Sequence, residues 1–379
     1  MSAIAPEKES ATSTGRQYHL ISADSHVNEP GDLWTSRVSA KFKDRVPRME
    51  RFAEGDAWVV DGMDSPMPFG LNCGAGMRPE MRKAWMFWDD VRPGGYDPKA
   101  RIEEMSLDQV DGEVLFPTPR LGSAIFAHPD KEMHLEIVRA YNDFLCEFVE
   151  YDPTRLRGLL MLPNSGVQDC LGEIKRVGDR PGIGGFMFGQ YPSGGVKASA
   201  ADDPVWRECI DRGHAVSIHV AMSPGMPKSS GVPGPLPGAG RHLAIGGQLL
   251  DLIFSGAFDR NPDLQLVAAE VDCGWVPYFK EQIDDNFRRF RHNYPTMDRF
   301  PSEYFENNLS FTFVTDNYGI QNRHLIGVDR MMWSTDYPHP SASWPNSWTH
   351  AANSMGGVPA DERDAMLFGN ALRLYGFDR

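Results

Sequence analysis

Eight short apolar runs, separated by stretches with helical spacing, constrain this chain more than any other feature. They are YHLISADSH (18–26), GEVLFPT (112–118), RGLLMLP (157–163), GIGGFMFGQ (182–190), AVSIHVA (215–221), LQLVAAE (264–270), NLSFTF (308–313) and RMMWSTD (330–336). Strands joined through helices must run parallel, because only a long crossover returns the chain to the same edge. Eight such units define an α/β fold, a (β/α)8 TIM barrel, and 379 residues suit one such domain. The sequence predicts a single domain over 17–379. Residues 1–16, MSAIAPEKESATSTGR, are small and polar and read as a frayed N-terminal tail without the apolar core of a secretory signal.

The rhythm breaks between about 31 and 100, after strand one. Trp34, Trp58, Trp85, Phe87, Trp88 and Tyr96 stand there among Gly and Pro. An insertion of that kind fits a substrate lid over the barrel mouth, an aromatic packing subdomain, or an interface. A Gly/Pro/Ser-rich stretch at 223–240 reads as a mobile loop on the catalytic face, since the barrel rhythm continues beyond it.

Polar residues able to do chemistry fall at the carboxyl ends of the expected strands, the rim where barrel active sites lie. Asp24 and His26 end strand one, His219 ends strand five, Glu270 ends strand six, and Asp336 with His339 follows strand eight. Asp24 and His26 are two apart on an extended segment, so both project to one face. Carboxylate and imidazole together suit a divalent ion such as zinc, manganese or iron. Each residue also has a plainer reading: a strand-end Asp caps a turn, a His in SIHV sits in the core, and Asp336 caps a helix. Their convergence on one rim carries the metal reading.

Asp336, Glu270 and His339 are the candidate catalytic groups. Glu270 enters from strand six as a general base, a substrate clamp, or a ligand to a second metal ion; its alternative is an ion pair with Arg82 or Arg92. His339, between two prolines in DYPHP, is an acid or base, or orients Asp336. For a substrate, Trp58, Trp88 and Tyr337 suggest an apolar or aromatic ligand, and Arg82 and Arg92 a carboxylate. His128 after strand two and Gln190 after strand four complete the candidates.

A formal net charge of −14 disfavours nucleic acid or an anionic membrane as partner and leaves a small-molecule substrate. No apolar stretch reaches the length of a membrane span. Five scattered cysteines without a CxxC pair predict neither a disulfide framework nor a zinc-thiolate site, and point to a reducing, cytoplasmic setting. There is no GxSxG elbow, no phosphate-binding GxxxxGK[ST] loop, and no GxGxxG between a strand and a helix.

Taken together, ISADSHVNEPGDLW, YNDF, SIHV, EVDCGWVPYF, WSTDYPHP and GNALRLYGF resemble the amidohydrolase-related family, the branch of the amidohydrolase superfamily with aminocarboxymuconate-semialdehyde and resorcylate-type decarboxylases. The resemblance spans most of 18–377. It implies one divalent metal on Asp24, His26, His219 and Asp336, a homo-oligomer, and hydrolysis or non-oxidative decarboxylation of a small organic acid or amide. The sequence departs from the family at Asp24, where decarboxylases carry His or Glu, and at Glu270, where many carry His. It also lacks the strand-four lysine that bridges two metals in some related barrels. The added carboxylate opens a second expectation, a dinuclear non-haem iron hydroxylase, and a third is a non-catalytic metal-binding partner subunit.

Overall fold

A computed structural model describes residues 15–223, 225–227 and 241–377. Nearly all of the expected tail at 1–16, and most of the loop expected at 223–240, lie outside the described residues.

The strands in chain order are β1 (Ile21–His26), β2 (Arg48–Arg51), β3 (Asp56–Val59), β4 (Met67–Pro68), β5 (Gly112–Phe116), β6 (Leu156–Met161), β7 (Ile183–Met187), β8 (Ala215–His219), β9 (Leu266–Ala269), β10 (Leu309–Phe313) and β11 (Met331–Trp333). Eight of them form one parallel sheet in the order β1-β5-β6-β7-β8-β9-β10-β11. Its outer members meet: Asp336 N–H donates to the Asp24 carbonyl (3.0 Å), His26 N–H to the Tyr337 carbonyl (2.6 Å), and Thr335 N–H to Ser22 Oγ (2.9 Å). The barrel thus closes through the backbone of the segments that carry Asp24, His26 and Asp336.

These strands are shorter than the apolar runs, and the backbone shows why. Val220, Glu270 and Asp336 adopt φ of 56°, 56° and 59°, a region that side chains crowd and that an extended ladder cannot pass through. Glu270 therefore lies one residue beyond β9, and Asp336 three beyond β11. Strain of this kind persists only where surrounding structure holds it, and it collects at functional sites.

Within β10 the apolar side chains of Leu309, Phe311 and Phe313 alternate with the hydroxyls of Ser310 and Thr312, all buried. Period-two alternation puts both hydroxyls on one face, and Thr312 proves to face the site.

The insertion folds around a three-stranded antiparallel sheet, β2-β3-β4. Trp58 packs edge-on against Trp34 at 5.4 Å, and the Trp34 indole N–H donates to the Ile137 carbonyl (3.0 Å). The segment around 72–76 reaches the barrel rim. The Asn28 amide donates to the Asn72 carbonyl (3.2 Å) and Ala75 N–H to the Pro338 carbonyl (2.9 Å). Gly74 lies so close to Pro340 that a Cβ would stand 2.9 Å from the ring, so only glycine fits. The insertion thereby rests on the loops after β1 and β11.

Arg101, fully buried on the helix Pro98–Leu107, ties these parts together. Its guanidinium pairs with Glu113 of β5 (2.5 Å), donates to the carbonyls of His26 (2.9 Å) and Gly94 (3.0 Å), and stacks on Tyr337 at 4.4 Å. The chain closes in a helical run over Ala360–Leu374, with a π-helical turn at Ala365–Gly369. The Asn370 amide anchors it to the carbonyls of Val328 and Met331, both at 2.8 Å. Among the described residues no helix is long and apolar enough to cross a membrane.

Replacing Arg101 by Met strands the Glu113 carboxylate in the interior, and leaving a buried ion-pair partner uncompensated costs about 3–5 kcal/mol. Urea unfolding of Arg101→Met should show a loss of that size; a loss under about 1 kcal/mol would contradict the clamp.

Candidate metal centre

Six side chains from four strand ends converge where the barrel opens. Two overlapping sets, Asp24, His26, His219 and Glu270, and His26, Glu270, Asp336 and His339, each bring one potential ligand atom per residue within 4.8 Å of the others, and every member is buried. His26 Nε2 is 3.5 Å from Asp24 Oδ1 and 3.4 Å from Asp336 Oδ1. His219 Nε2 lies 3.4 Å from Asp24 Oδ1 and 3.2 Å from Glu270 Oε2. The His26 and His219 rings meet edge to face at 4.7 Å, and His339 stacks on His26 at 4.1 Å.

Surrounding bonds fix how these groups present themselves. His26 Nδ1 lies 2.9 Å from the Pro117 carbonyl and donates to it, which leaves the Nε2 lone pair aimed into the cluster. Asp336 Oδ1 accepts from His339 Nδ1 at 2.6 Å, and Ser341 Oγ donates to Oδ2. Thr312 Oγ1 donates to Asp24 Oδ2 at 3.3 Å.

Protonation follows from burial and mutual charge. Burial pushes the Asp24 carboxyl up to about 7 against the pull of His26, with Asp336 adding to the rise. Burial and the neighbouring His339 bring His26 down to about 4, so its imidazole is neutral at physiological pH. Burial also opposes charge on His339, yet the Asp336 carboxylate, with Glu270 and Asp24 behind it, holds the imidazolium up to about 9. Asp336 is pressed well below the ordinary carboxylate range by His339 and His26, despite its burial.

Asp24 Oδ1, His26 Nε2 and His339 Nε2 are buried and make no hydrogen bond. An unbonded buried polar atom is costly, and carboxylate oxygens and imidazole nitrogens aimed at a common point are the donor set of a divalent ion. The residues fit such an ion.

The residues suggested for substrate scatter. Trp58 is core, packed on Trp34, and so does not line the mouth. Trp88 stacks with Tyr96 (5.0 Å) and Phe69 (5.6 Å) inside the insertion. Tyr337 is buried under Arg101, with its hydroxyl donating to Glu104. Arg92 lies over Trp344 at 4.2 Å and 3.7 Å from Glu104, so neither it nor Arg82 pairs with Glu270. His128 accepts from Asp130 N–H (3.2 Å) and faces Asp61 of the insertion at 3.9 Å. Gln190 spends its amide on the Ser223 carbonyl and on Asn164. Arg82 is half-buried, with an Nε that makes no hydrogen bond.

Three residues escaped the sequence reading. Thr312 and Ser341 contact the carboxylates, and only the hydroxyl alternation in NLSFTF signalled the first. Arg120, half-buried on the helix Pro119–Phe126 directly after β5, has its charge disfavoured by burial. No sequence signal distinguished it.

A closed parallel barrel with a carboxylate–imidazole cluster at its strand ends is the architecture of metal-dependent barrel enzymes. The amidohydrolase family profile matches residues 48–377, and the chain belongs to that family. It is 26% identical over 302 residues to a 2-amino-3-carboxymuconate-6-semialdehyde decarboxylase of Dictyostelium discoideum, covering 77% of this chain and 80% of the relative. It is also 26% identical over 338 residues to a gamma-resorcylate decarboxylase of Rhodococcus jostii (strain RHA1), covering 83% and 96%. Among solved structures, an amidohydrolase from Mycobacterium avium subsp. paratuberculosis K-10 superposes with a TM-score of 0.73 at 21% identity, over 95% of this chain and all of the other.

Metal binding to this cluster must displace the Asp24 proton, whose pKa is about 7, whereas His26, at about 4, is already neutral. Manganese affinity should therefore fall about tenfold per pH unit below 7 and flatten above it. Titration by calorimetry between pH 5.5 and 8 checks this; a flat profile would contradict it.

Proposed function

We propose that this protein is a metal-dependent carboxy-lyase that removes CO2 without oxidation from a small aromatic or conjugated carboxylic acid. The observation that carries the reading is His339, stacked on the candidate ligand His26 at 4.1 Å and donating from Nδ1 to Asp336 Oδ1 at 2.6 Å, which leaves its second nitrogen inside the cluster without a hydrogen bond. Loss of CO2 leaves an electron pair on carbon, and a proton must meet it.

In this reading Asp24, His26, His219 and Asp336 would hold one divalent ion, with Glu270, which shares a ligand set with each of them, beside it. Bound there, the ion supplies positive charge to a substrate carboxylate or phenolate oxygen. His339 donates its proton to the carbon bearing the carboxylate. The C–C bond then breaks, its electron pair returns to the ring, CO2 leaves, and solvent reprotonates His339. Asp336 keeps the imidazole charged and oriented. The named activities of the two curated relatives support this reaction class.

A second reading rests on a separate observation: Glu270, Asp336, His339 and His26 form a ligand set of their own. If a second ion were held by this set, Glu270 and His26 would serve both sites, and the chemistry supplied would be that of a dinuclear iron hydroxylase. There His339 is a ligand and not an acid.

Manganese-loaded protein under argon, offered ortho-hydroxybenzoates, should release CO2 and arene in equal amounts. Oxygen uptake with no anaerobic CO2 release would replace the first reading with the second. His339→Gln should lower kcat by about 10²–10⁴-fold with manganese still bound, the contribution typical of a general acid. Unchanged turnover would remove His339 from the chemistry.

A further inference from the structure

Thr312 is the last inward residue of β10, and it is buried without exposed surface. Its hydroxyl donates to Asp24 Oδ2 at 3.3 Å and accepts the Glu270 backbone N–H at 2.8 Å. A threonine hydroxyl has one hydrogen and two acceptor sites, so it can serve both partners at once. Those partners belong to different elements: Asp24 lies in β1 and Glu270 just past β9. β10 lies between β9 and β11, so β1 is not its neighbour. The hydroxyl therefore spans part of the barrel mouth and ties together two carboxylate-bearing segments that share no ladder.

Two consequences follow from this position. With Oδ2 engaged, Asp24 turns Oδ1 into the cluster, 3.4 Å from His219 Nε2 and 3.5 Å from His26 Nε2, where it makes no hydrogen bond. At the other end, Glu270 sits at φ 56°, past the point where the β9 ladder supplies partners. Thr312 satisfies its amide and so holds the strained residue that aims the Glu270 carboxylate at His219.

We propose that Thr312 is a positioning residue for the divalent ion: its hydroxyl selects Oδ1 of Asp24 as the oxygen offered to the metal and fixes Glu270 in the same site. The proposal rests on reading the cluster as a metal centre, but not on which reaction follows. It concerns assembly of the ligand set, so its signature is affinity for the ion and not only turnover.

The test is a manganese(II) titration followed by electron paramagnetic resonance of the free ion, on wild type, Thr312→Val and Thr312→Ser, with thermal unfolding of each metal-free protein alongside. Valine keeps the branched shape and removes the hydroxyl; serine keeps the hydroxyl and removes the methyl. Losing a group that orients a ligand weakens metal binding by about 10–100-fold. Thr312→Val should bind manganese that much more weakly, and Thr312→Ser should stay within about threefold of wild type on the same scale. Unchanged affinity in the valine variant, or equal weakening in both, would overturn the proposal. If Thr312→Val does not fold, Thr312→Ser against Thr312→Ala makes the same comparison: affinity kept by serine and lost by alanine supports it, and equal affinity overturns it. Failure of the wild type itself to bind manganese would instead sink the metal-centre reading.

Discussion

Three carboxylates and three imidazoles buried within a few ångströms of one another set the terms for the rest of this structure. Like charges in a low-dielectric pocket cannot all ionise, and the protein divides the burden unevenly. Asp336 takes the full negative charge and passes a positive one to His339, whereas Asp24 is held near neutrality and His26 is kept neutral. That division leaves ligand atoms aimed at a common point without hydrogen bonds, an arrangement that a bound cation would complete.

The scaffold serves this cluster at each step. Parallel strands deliver their carboxyl ends to one rim, and left-handed turns at Glu270 and Asp336 stop two of them where their carboxylates can swing inward. Closure of the barrel is itself made by Asp336 N–H on the Asp24 carbonyl, so barrel and ligand set form together. Arg101 then links the carbonyl of His26, the insertion at Gly94 and the ring of Tyr337, coupling the insertion to the segments that carry the candidate ligands. The Pro117 carbonyl orients His26 through the loop that leads into the helix carrying Arg120.

The barrel was legible because apolar runs alternating with helical spacing are a repeated signal. The positions of Asp24, His26, His219, Glu270, Asp336 and His339 were legible because each stands where such a run ends. What the sequence could not carry was orientation within the insertion. Trp58 and Trp88 offer the same aromatic surface to a ligand or to a neighbour, and here each packs on another ring. Arg92 shows the same ambiguity: a stack on Trp344 and a bond to a substrate carboxylate demand the same side chain. Thr312 was hidden for a different reason. A hydroxyl in a strand is ordinary, and its importance comes from two partners distant in sequence that only the closed barrel brings together.

The most direct measurement is crystallographic: anomalous scattering from crystals of manganese-reconstituted protein, recorded above the manganese edge. The account predicts a peak among Asp24, His26, His219 and Asp336, with ligand atoms about 2.0–2.6 Å away, the range of divalent ions with oxygen and nitrogen donors. A map with no peak in the cluster, or with manganese only at surface carboxylates, would contradict the claim that these buried groups exist to hold a metal.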